Sequence, residues 1–270
     1  HAVKVMAGAS QESNIFRSVY VGRKKFFNND LGTVGAGSSD PVDISSGANI
    51  SSNSEWAIRS FFSRVNYSFA GKYLLEGNLR MDLSSRFHPD YRSAKFPSIS
   101  AGWKISEENF MRGISWLNSL KVRGSWGVLG NQDNVNPGNY FALLSTGYQY
   151  NFNGVPVDGV WQSQGINIET SWEKVNMKNI GVDASLWNGL LEVTADYFIK
   201  TTKDILLPTP AGAVYGLTTP TKNLGSTENK GIELLLNHAN SIGRDFTYNV
   251  SVNFSKVKNT ILNLGAEEKR

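Results

Sequence analysis

Cysteine is absent from this 270-residue sequence, and long apolar runs are absent as well. Without cysteine the chain can form neither disulfides nor thiolate metal sites. A transmembrane helix needs roughly 18 or more consecutive apolar residues, so a helical membrane protein is excluded. The mean hydropathy of −0.29 does not exclude a transmembrane β-barrel, because only alternate residues of a barrel strand face lipid.

A strong charge of either sign is also missing. The net charge is +4, and the longest basic run is Arg23-Lys24-Lys25, so we expect no nucleic-acid partner. The histidines at positions 1, 88 and 238 are too dispersed for a metal motif, and we expect no cofactor. The first ten residues lack the charged and apolar regions of a signal peptide, so none is expected.

The clearest pattern present is a long hairpin from Glu173 to Leu207. Asn188-Gly189 favours a two-residue type I′ turn, because both residues tolerate positive φ. Counting outward from this turn predicts which residues lie opposite each other. The predicted pairs on the apolar face are Leu186 with Leu191, Ala184 with Val193, Val182 with Ala195, and Ile180 with Tyr197. The predicted pairs on the polar face are Ser185 with Glu192, Asp183 with Thr194, and Gly181 with Asp196.

A second hairpin is predicted from Trp56 to Phe87, with its turn at Ala70-Gly71-Lys72. The predicted apolar pairs are Phe69 with Tyr73, Tyr67 with Leu75, Val65 with Gly77, and Phe61 with Met81. The opposite face carries polar and charged side chains, among them Arg80 and Asp82. The arms of both hairpins are much longer than the usual strand of about five or six residues.

The rest of the chain alternates between shorter strand patterns and irregular segments. Alternating apolar residues predict strands over His1–Ser10, Phe96–Ile105, Leu120–Leu129, Asn229–His238 and Phe246–Lys256. Segments without a sustained period predict loops over Gln11–Asn53, Asn131–Ser171 and Pro208–Thr227. A short helical connector is expected to begin with Ser106 as its N-cap and to end before Ser119.

Short and long connections therefore alternate along about nine strands, as in outer-membrane barrels, which have short periplasmic turns and long extracellular loops. The predicted fold class is all-β: an antiparallel transmembrane β-barrel segment cut from a larger barrel. The alternative is a soluble β-sandwich carbohydrate-binding module. Its strands would be shorter, and the apolar faces of its two sheets would meet in one core.

Several motifs then carry a family resemblance. They are FSRVNYSFAGKYLLEGNLRMDLSSRF, FPSISAGWKISEENFM, LNSLKVRGSWGVLGNQ, WEKVNMKNIGVDASLWNGLLEVTADYFIKTTKDILL and NLGSTENKGIELLLN. In this order they resemble the barrel of SusC/RagA-type TonB-dependent outer-membrane receptors of Bacteroidetes, from about Phe61 to Gly265. The first sixty residues resemble this family less closely.

The resemblance implies a transporter of oligosaccharides, or in some members of peptides, and not an enzyme. Its implied partners are TonB, a SusD-like surface lipoprotein and the lipid of the bacterial outer membrane. Such barrels have 22 strands and a plugged lumen, so we expect residues 1–270 to form part of one barrel domain. We expect no plug and no closing C-terminal strand in this chain, and TonB would act through a missing N-terminal region.

Six charged residues are predicted to face the lumen of this barrel: Arg80, Asp82, Asp183, Glu192, Asp196 and Glu233. Asp183 lies diagonal to Asp196 in the predicted register, as the carboxylates of a catalytic acid pair could. Glycosidase pairs also need a separation of about 5 to 9.5 Å and one raised pKa in a closed cleft. Carboxylates lie close together by chance on a polar barrel wall. We therefore interpret Asp183 and Asp196 as residues of the lumen wall and expect no catalytic residue.

The long segment before the Glu173 hairpin is rich in aromatic residues. Because sugar rings stack on aromatic faces and functional residues concentrate in loops, four of these side chains are candidate ligand-binding residues. They are Tyr140, Tyr148, Tyr150 and Trp161. The alternative is that they pack the loop against itself or against the partner lipoprotein.

Overall fold

In a computed structural model, the protein is built almost entirely from long antiparallel strands. The structure describes residues 1–20, 22–28, 30, 33–40, 50–162, 164–209 and 216–265. The strands are β1 Ala2–Tyr20, β2 Ile50–Phe69, β3 Tyr73–Ser84, β4 Ser93–Lys104, β5 Leu117–Asn131, β6 Leu144–Phe152, β7 Val155–Gln162, β8 Glu173–Leu186, β9 Leu191–Pro208, β10 Thr221–Ile242 and β11 Phe246–Leu264. Within these ranges no helix is long and apolar enough to cross a membrane.

Nine of these strands form one antiparallel sheet in the order β1-β2-β3-β4-β5-β8-β9-β10-β11. The remaining two, β6 and β7, form a separate hairpin inserted between β5 and β8. In the described part of the chain the sheet does not close, since β1 and β11 are its two edges. The all-β, nine-stranded barrel segment predicted from the sequence is confirmed.

Both predicted hairpins have the expected register. Every pair predicted for the Glu173 hairpin is present between β8 and β9, and every pair predicted around Ala70 is present between β2 and β3. Asn188 and Gly189 have φ angles of +57° and +84°, and the Leu190 N–H donates to the Trp187 carbonyl at 3.2 Å. Trp187 also has a positive φ, +49°, and the ladder ends at Leu186 and Leu191, so the turn is wider than the predicted two-residue type I′ turn although the register is the predicted one.

Three loop predictions are wrong in part, because long strands continue where the alternation of apolar residues fades. The predicted strand at the start extends to Tyr20, and β2 begins at Ile50. The predicted loop after Asn131 contains the β6–β7 hairpin, and the predicted loop after Pro208 ends at Thr221, where β10 begins. Residues 41–49 and 210–215 of these predicted loops lie outside the described residues.

The predicted helical connector is two 3₁₀ turns, Ile105–Glu107 and Asn109–Met111. Ser106 lies inside the first turn and is not an N-cap; the N-cap positions are Lys104 and Glu108, and neither makes a side-chain capping bond. Each of these turns is three residues long.

The sheet has an apolar face and a polar face along its whole width. On the apolar face large side chains remain exposed, for example Ile180 at 56%, Tyr197 at 44% and Ile232 at 48%. These three residues are direct neighbours across β8, β9 and β10. A soluble sandwich would bury such a row against a second sheet. Nine of the described strands instead form one sheet whose apolar face is uncovered.

The two ends of the strands differ. We call the end with the connections 70–72, 105–116, 187–190 and 243–245 the short-turn end, and the opposite end the long-loop end. The buried core lies at the long-loop end, where Phe87, Phe96, Val135 and Trp172 are each at most 6% exposed. Trp172 contacts Phe87 in a tilted arrangement and Phe96 edge to face, at ring-centroid distances of 5.1 and 5.5 Å. These four residues pack the long loops against the sheet.

Candidate functional site

The polar face of β2 and β3 carries a first group of paired side chains. Arg80 donates from Nε to both carboxylate oxygens of Asp82, at 2.8 and 2.9 Å. A second guanidinium nitrogen of Arg80 donates to the Ser60 hydroxyl at 2.9 Å. Asp82 is 6% exposed and Ser60 is 1% exposed. The predicted wall residues Arg80 and Asp82 therefore form one charge-assisted pair.

The same strands hold a second polar chain nearer the short-turn end. Arg64 donates to the Asn78 side-chain oxygen at 2.6 Å, and the Asn78 amide donates to Glu76 at 2.9 Å and to Ser98 at 3.2 Å. This chain joins β2, β3 and β4 on one face. It presents one guanidinium, one carboxylate and one amide in a row.

Arg123 of β5 organises the predicted carboxylates of β8 and β9. Its Nε donates to Asp183 at 3.1 Å, and one terminal nitrogen donates to Asp196 at 2.6 Å. The other terminal nitrogen donates to the Asn179 side chain at 3.4 Å, and Lys121 lies 3.8 Å from Asp183. Asp183 and Asp196 are thus brought together, as predicted, but they share a cation. Planar guanidinium groups suit such branched contacts.

The last two predicted wall residues also lie on the polar face. Glu192 of β9 accepts a hydrogen bond from the Asn237 amide at 3.4 Å. Glu233 of β10 lies directly opposite Asp196, and the two contribute to the same concave stretch of the wall, together with Asn253 of β11. Glu192, Asp196 and Glu233 therefore place three carboxylates on the polar face of β9 and β10.

A concave region of about 590 Å³ lies on the polar face around Arg123. Lys4, Glu76, Lys121 and Asn179 contribute to its lining, so its charge is mixed. Among the residues that the structure describes, no group of three or more carboxylate or histidine side chains is arranged to hold a metal ion. The arrangement offers a polar binding wall of fixed charges and amides.

The predicted aromatic residues fall into two places. Tyr148 and Trp161 meet edge to face at 5.1 Å across the β6–β7 hairpin, and Tyr150 contacts Phe152 at 4.7 Å. Tyr148 and Tyr150 are more than 60% exposed. Tyr140 lies outside this hairpin and contacts the rings of His88 and Phe141. The structure thus groups three of the four candidates on one exposed hairpin and does not bring Tyr140 to them.

Two further residues of the polar wall were not anticipated. Arg123 was predicted only as one of the polar residues that alternate along β5, and its branched contacts depend on the pairing of β5 with β8. Glu173 is 3% exposed and accepts hydrogen bonds from Asn131 at 2.9 Å, Asn134 at 2.8 Å and the Leu206 N–H at 3.1 Å. The sequence signal that could have indicated this buried glutamate was its position next to Trp172.

A separate cluster marks the short-turn end. One carboxylate oxygen of Glu108 accepts hydrogen bonds from the Tyr73 hydroxyl at 2.7 Å and from the Trp103 indole N–H at 3.1 Å. The other oxygen accepts a hydrogen bond from the Lys72 ammonium at 3.1 Å. The hydrogen bond from Tyr73, then those from Lys72 and Trp103, lower the pKa of Glu108 below its usual value. The Glu108 carboxylate therefore holds the side chains of Tyr73 on β3 and Trp103 on β4 in place at the short-turn end.

The fold and the site together define a class of protein. A wide antiparallel sheet with an uncovered apolar face, an ion-paired polar face and alternating short and long connections is the wall of a transmembrane β-barrel. The family described as "TonB dependent receptor-like, beta-barrel" matches residues 8–267. The chain belongs to this family.

Relatives of known name agree with this assignment. The chain is 36% identical over 212 residues to "TonB-dependent receptor P39" of Formosa agariphila, covering 78% of this chain and 20% of that protein. It is 36% identical over 213 residues to "TonB-dependent receptor SusC" of Bacteroides thetaiotaomicron, covering 76% of this chain and 21% of that protein. The chain therefore spans about a fifth of the length of these two relatives.

Solved structures agree as well. The RagAB peptide importer in its open-open state matches 97% of this chain, with a TM-score of 0.81 and 28% sequence identity. The same comparison covers 28% of the matched chain. The resemblance to SusC/RagA-type receptors seen in the sequence motifs is confirmed.

Proposed function

We propose that this chain is part of the barrel wall of a TonB-dependent transporter in the bacterial outer membrane. One observation carries the proposal: the nine-stranded sheet has one apolar, exposed face, while ion pairs on the opposite face link β2 with β3 and β5 with β8 and β9. Such a sheet is stable only with lipid on one side and a polar lumen on the other. The transporter is not an enzyme, and residues 1–270 form one part of its barrel domain.

The complete barrel would import a nutrient with energy from TonB, which would act through a region outside this chain. A SusD-like surface lipoprotein would cover its extracellular side. The short-turn end would then lie in the periplasm and the long-loop end outside the cell. A solved neighbour is named a peptide importer, and the family resemblance of the sequence motifs implies oligosaccharides as a second substrate class. Oligosaccharides and peptides are therefore both proposed as cargo.

The residues that would contact cargo lie in two zones. The wall residues Arg80, Asp82, Asp183, Glu192, Asp196 and Glu233 would line the passage. Tyr148, Tyr150 and Trp161 of the β6–β7 hairpin would stack on a sugar ring or an aromatic peptide side chain outside the cell. Tyr140, which contacts the rings of His88 and Phe141 and lies outside this hairpin, would shape the loop that precedes it.

Reconstitution tests the membrane assignment. The complete receptor should insert into phosphatidylcholine vesicles, resist proteolysis on its apolar face and migrate differently on gels before and after heating. The proposal would be contradicted by a receptor that stays monodisperse in buffer without detergent and does not insert into the vesicles. Calorimetric titration with an oligosaccharide series and a peptide series, each with the partner lipoprotein present, then separates the two cargo classes.

A further inference from the structure

Lysine side chains gather where the apolar face ends toward the long loops of β8 to β11. Lys178 lies opposite Ile199, Ile199 lies opposite Lys230, and Lys230 lies opposite Lys258, so the four residues form one row across four strands. Lys256 occupies the same face of β11, two residues closer to the short-turn end. All four lysines are exposed. We call Lys178, Lys230, Lys256 and Lys258 the lysine belt.

The belt begins directly where the apolar rows stop. On β11 the residues of this face from Phe246 to Phe254 are aromatic or aliphatic, and this stretch is nine residues long. A tilted strand needs about 9 to 11 residues to cross the hydrocarbon core of a membrane. If the apolar rows are in contact with acyl chains, the belt lies at the level of the lipid head groups.

The belt carries more positive charge than the described residues neutralise. Glu228 meets Lys230 at 2.8 Å. Within the described ranges no carboxylate forms a salt bridge with Lys178, Lys256 or Lys258. Like charges that face each other across neighbouring strands, as Lys230 and Lys258 do, are destabilising. An anion bound between them would remove this repulsion.

The other boundary of the apolar face has a different composition. At the short-turn end of β10 and β11, His238 stacks on Tyr248 at 5.5 Å and Phe246 contacts Tyr248 at 6.0 Å. Aromatic rings of this kind are common at both interfaces of a membrane. The lysines are confined to the long-loop boundary of these strands. The asymmetry indicates a different head group chemistry on that side.

We propose that the lysine belt binds the phosphate groups of anionic lipid head groups at the outer surface of the membrane. The proposal rests on the membrane assignment made above. Lysine supplies a compact charge with three hydrogen-bond donors, which suits a phosphate. Lys178 and Lys230 are two strands apart, a separation of about 10 Å, so the belt can meet more than one phosphate of a head group.

The experiment uses the complete receptor, purified in a nonionic detergent. The belt variant is Lys178→Gln/Lys230→Gln/Lys258→Gln. The matched control is Lys4→Gln/Lys104→Gln/Lys200→Gln, which removes the same charge from exposed lysines on the polar face. Micelles doped with a diphosphorylated glucosamine lipid are titrated into each protein, and native mass spectrometry counts the lipids retained. Phosphatidylcholine and inorganic phosphate are the comparison probes.

We expect the belt variant to bind the phosphorylated lipid about 10- to 100-fold more weakly than the unchanged receptor, because each lysine near an anionic surface contributes about 1 kcal/mol. The control variant should retain the affinity, and phosphatidylcholine should bind equally to all three proteins. Unchanged affinity in a belt variant that inserts normally into vesicles would overturn the inference while leaving the transporter function intact. Full displacement of the lipid by inorganic phosphate would also overturn it. Failure of the unchanged receptor to insert would instead overturn the proposed function.

Discussion

Arg123 of β5 reaches across the whole width of β8 to contact Asp196 of β9, with 2.6 Å between the terminal guanidinium nitrogen and the carboxylate oxygen. The residue beneath this contact is Gly181, which lies opposite both Arg123 and Asp196 in the two neighbouring ladders. A methyl group at position 181 would lie 2.6 Å from Asp196 and 2.7 Å from the centre of the guanidinium. The missing side chain of Gly181 is what lets two strands that are not neighbours share an ion pair.

Gly181→Ala should therefore break this bridge. The added methyl displaces Arg123 or Asp196, and we expect the free energy of unfolding to fall by about 1–3 kcal/mol. Urea titration of the complete receptor in micelles measures the change. Gly77→Ala is the matched control, since no atom lies within 4 Å of a methyl group at that strand position. An equal loss of unfolding free energy in both variants would show that the effect comes from replacing a strand glycine and not from breaking the Arg123–Asp196 contact.

Glu173 should be essential for anchoring the loop that follows β5. In Glu173 one carboxylate oxygen accepts from Asn131 and Asn134 and the other accepts from the Leu206 N–H, so Glu173→Gln turns an NH2 donor toward either the two amides or the Leu206 N–H. Leaving buried donors unpaired costs about 1–3 kcal/mol. We expect faster proteolysis within residues 132–143 and a lower urea midpoint. Glu169→Gln at an exposed position is the control, and it should change neither quantity.

The stability of the short-turn end should depend on acid pH. The folded pKa of Glu108 lies below its usual value of 4.5, so its stabilising effect is complete above that pH. It is lost as the pH falls through the lower folded value, because the protonated acid holds Lys72 and Trp103 less well. Trp103 fluorescence between about pH 6 and about pH 3 should report this loss. Glu108→Gln should remove the change, whereas Glu107→Gln should leave it.

The aromatic hairpin should contribute to cargo affinity. Trp161→Ala removes the ring that packs against Tyr148 at 5.1 Å, and a lost stacking partner weakens binding by about 0.5–1.5 kcal/mol. Calorimetric titration of the complete transporter with its cargo should show a few-fold weaker affinity. Phe110→Ala, an exposed aromatic near the short turns, is the control. Unchanged cargo affinity together with weaker binding of the partner lipoprotein would assign the hairpin to the partner instead.

Strong local signals made much of the sheet predictable. Asn188-Gly189 and Ala70-Gly71 each fixed a hairpin register, because a one-residue slip would move every apolar side chain to the other face. The predicted pairs of Asp183, Glu192 and Asp196 followed directly from those turns. Where no such turn chemistry and no strict alternation existed, as between Gln11 and Asn53, the strand boundaries were missed.

Alternation and turn residues thus carried enough information for the nine strands of the large sheet and for its two faces, but not for the β6–β7 hairpin. The family followed from the resemblance of the sequence motifs. The contacts between strands distant in sequence did not follow from the same patterns. Arg123 meets Asp196 only because β5 pairs with β8 across a 41-residue insertion that contains its own hairpin. The burial of Glu173 and Trp172 depends on loops folding back over the sheet. The lysine belt likewise exists only because the registers of three separate ladders place Lys178, Lys230 and Lys258 in one row. Local patterns determine which face a residue occupies, and the packing of distant segments determines its neighbours there.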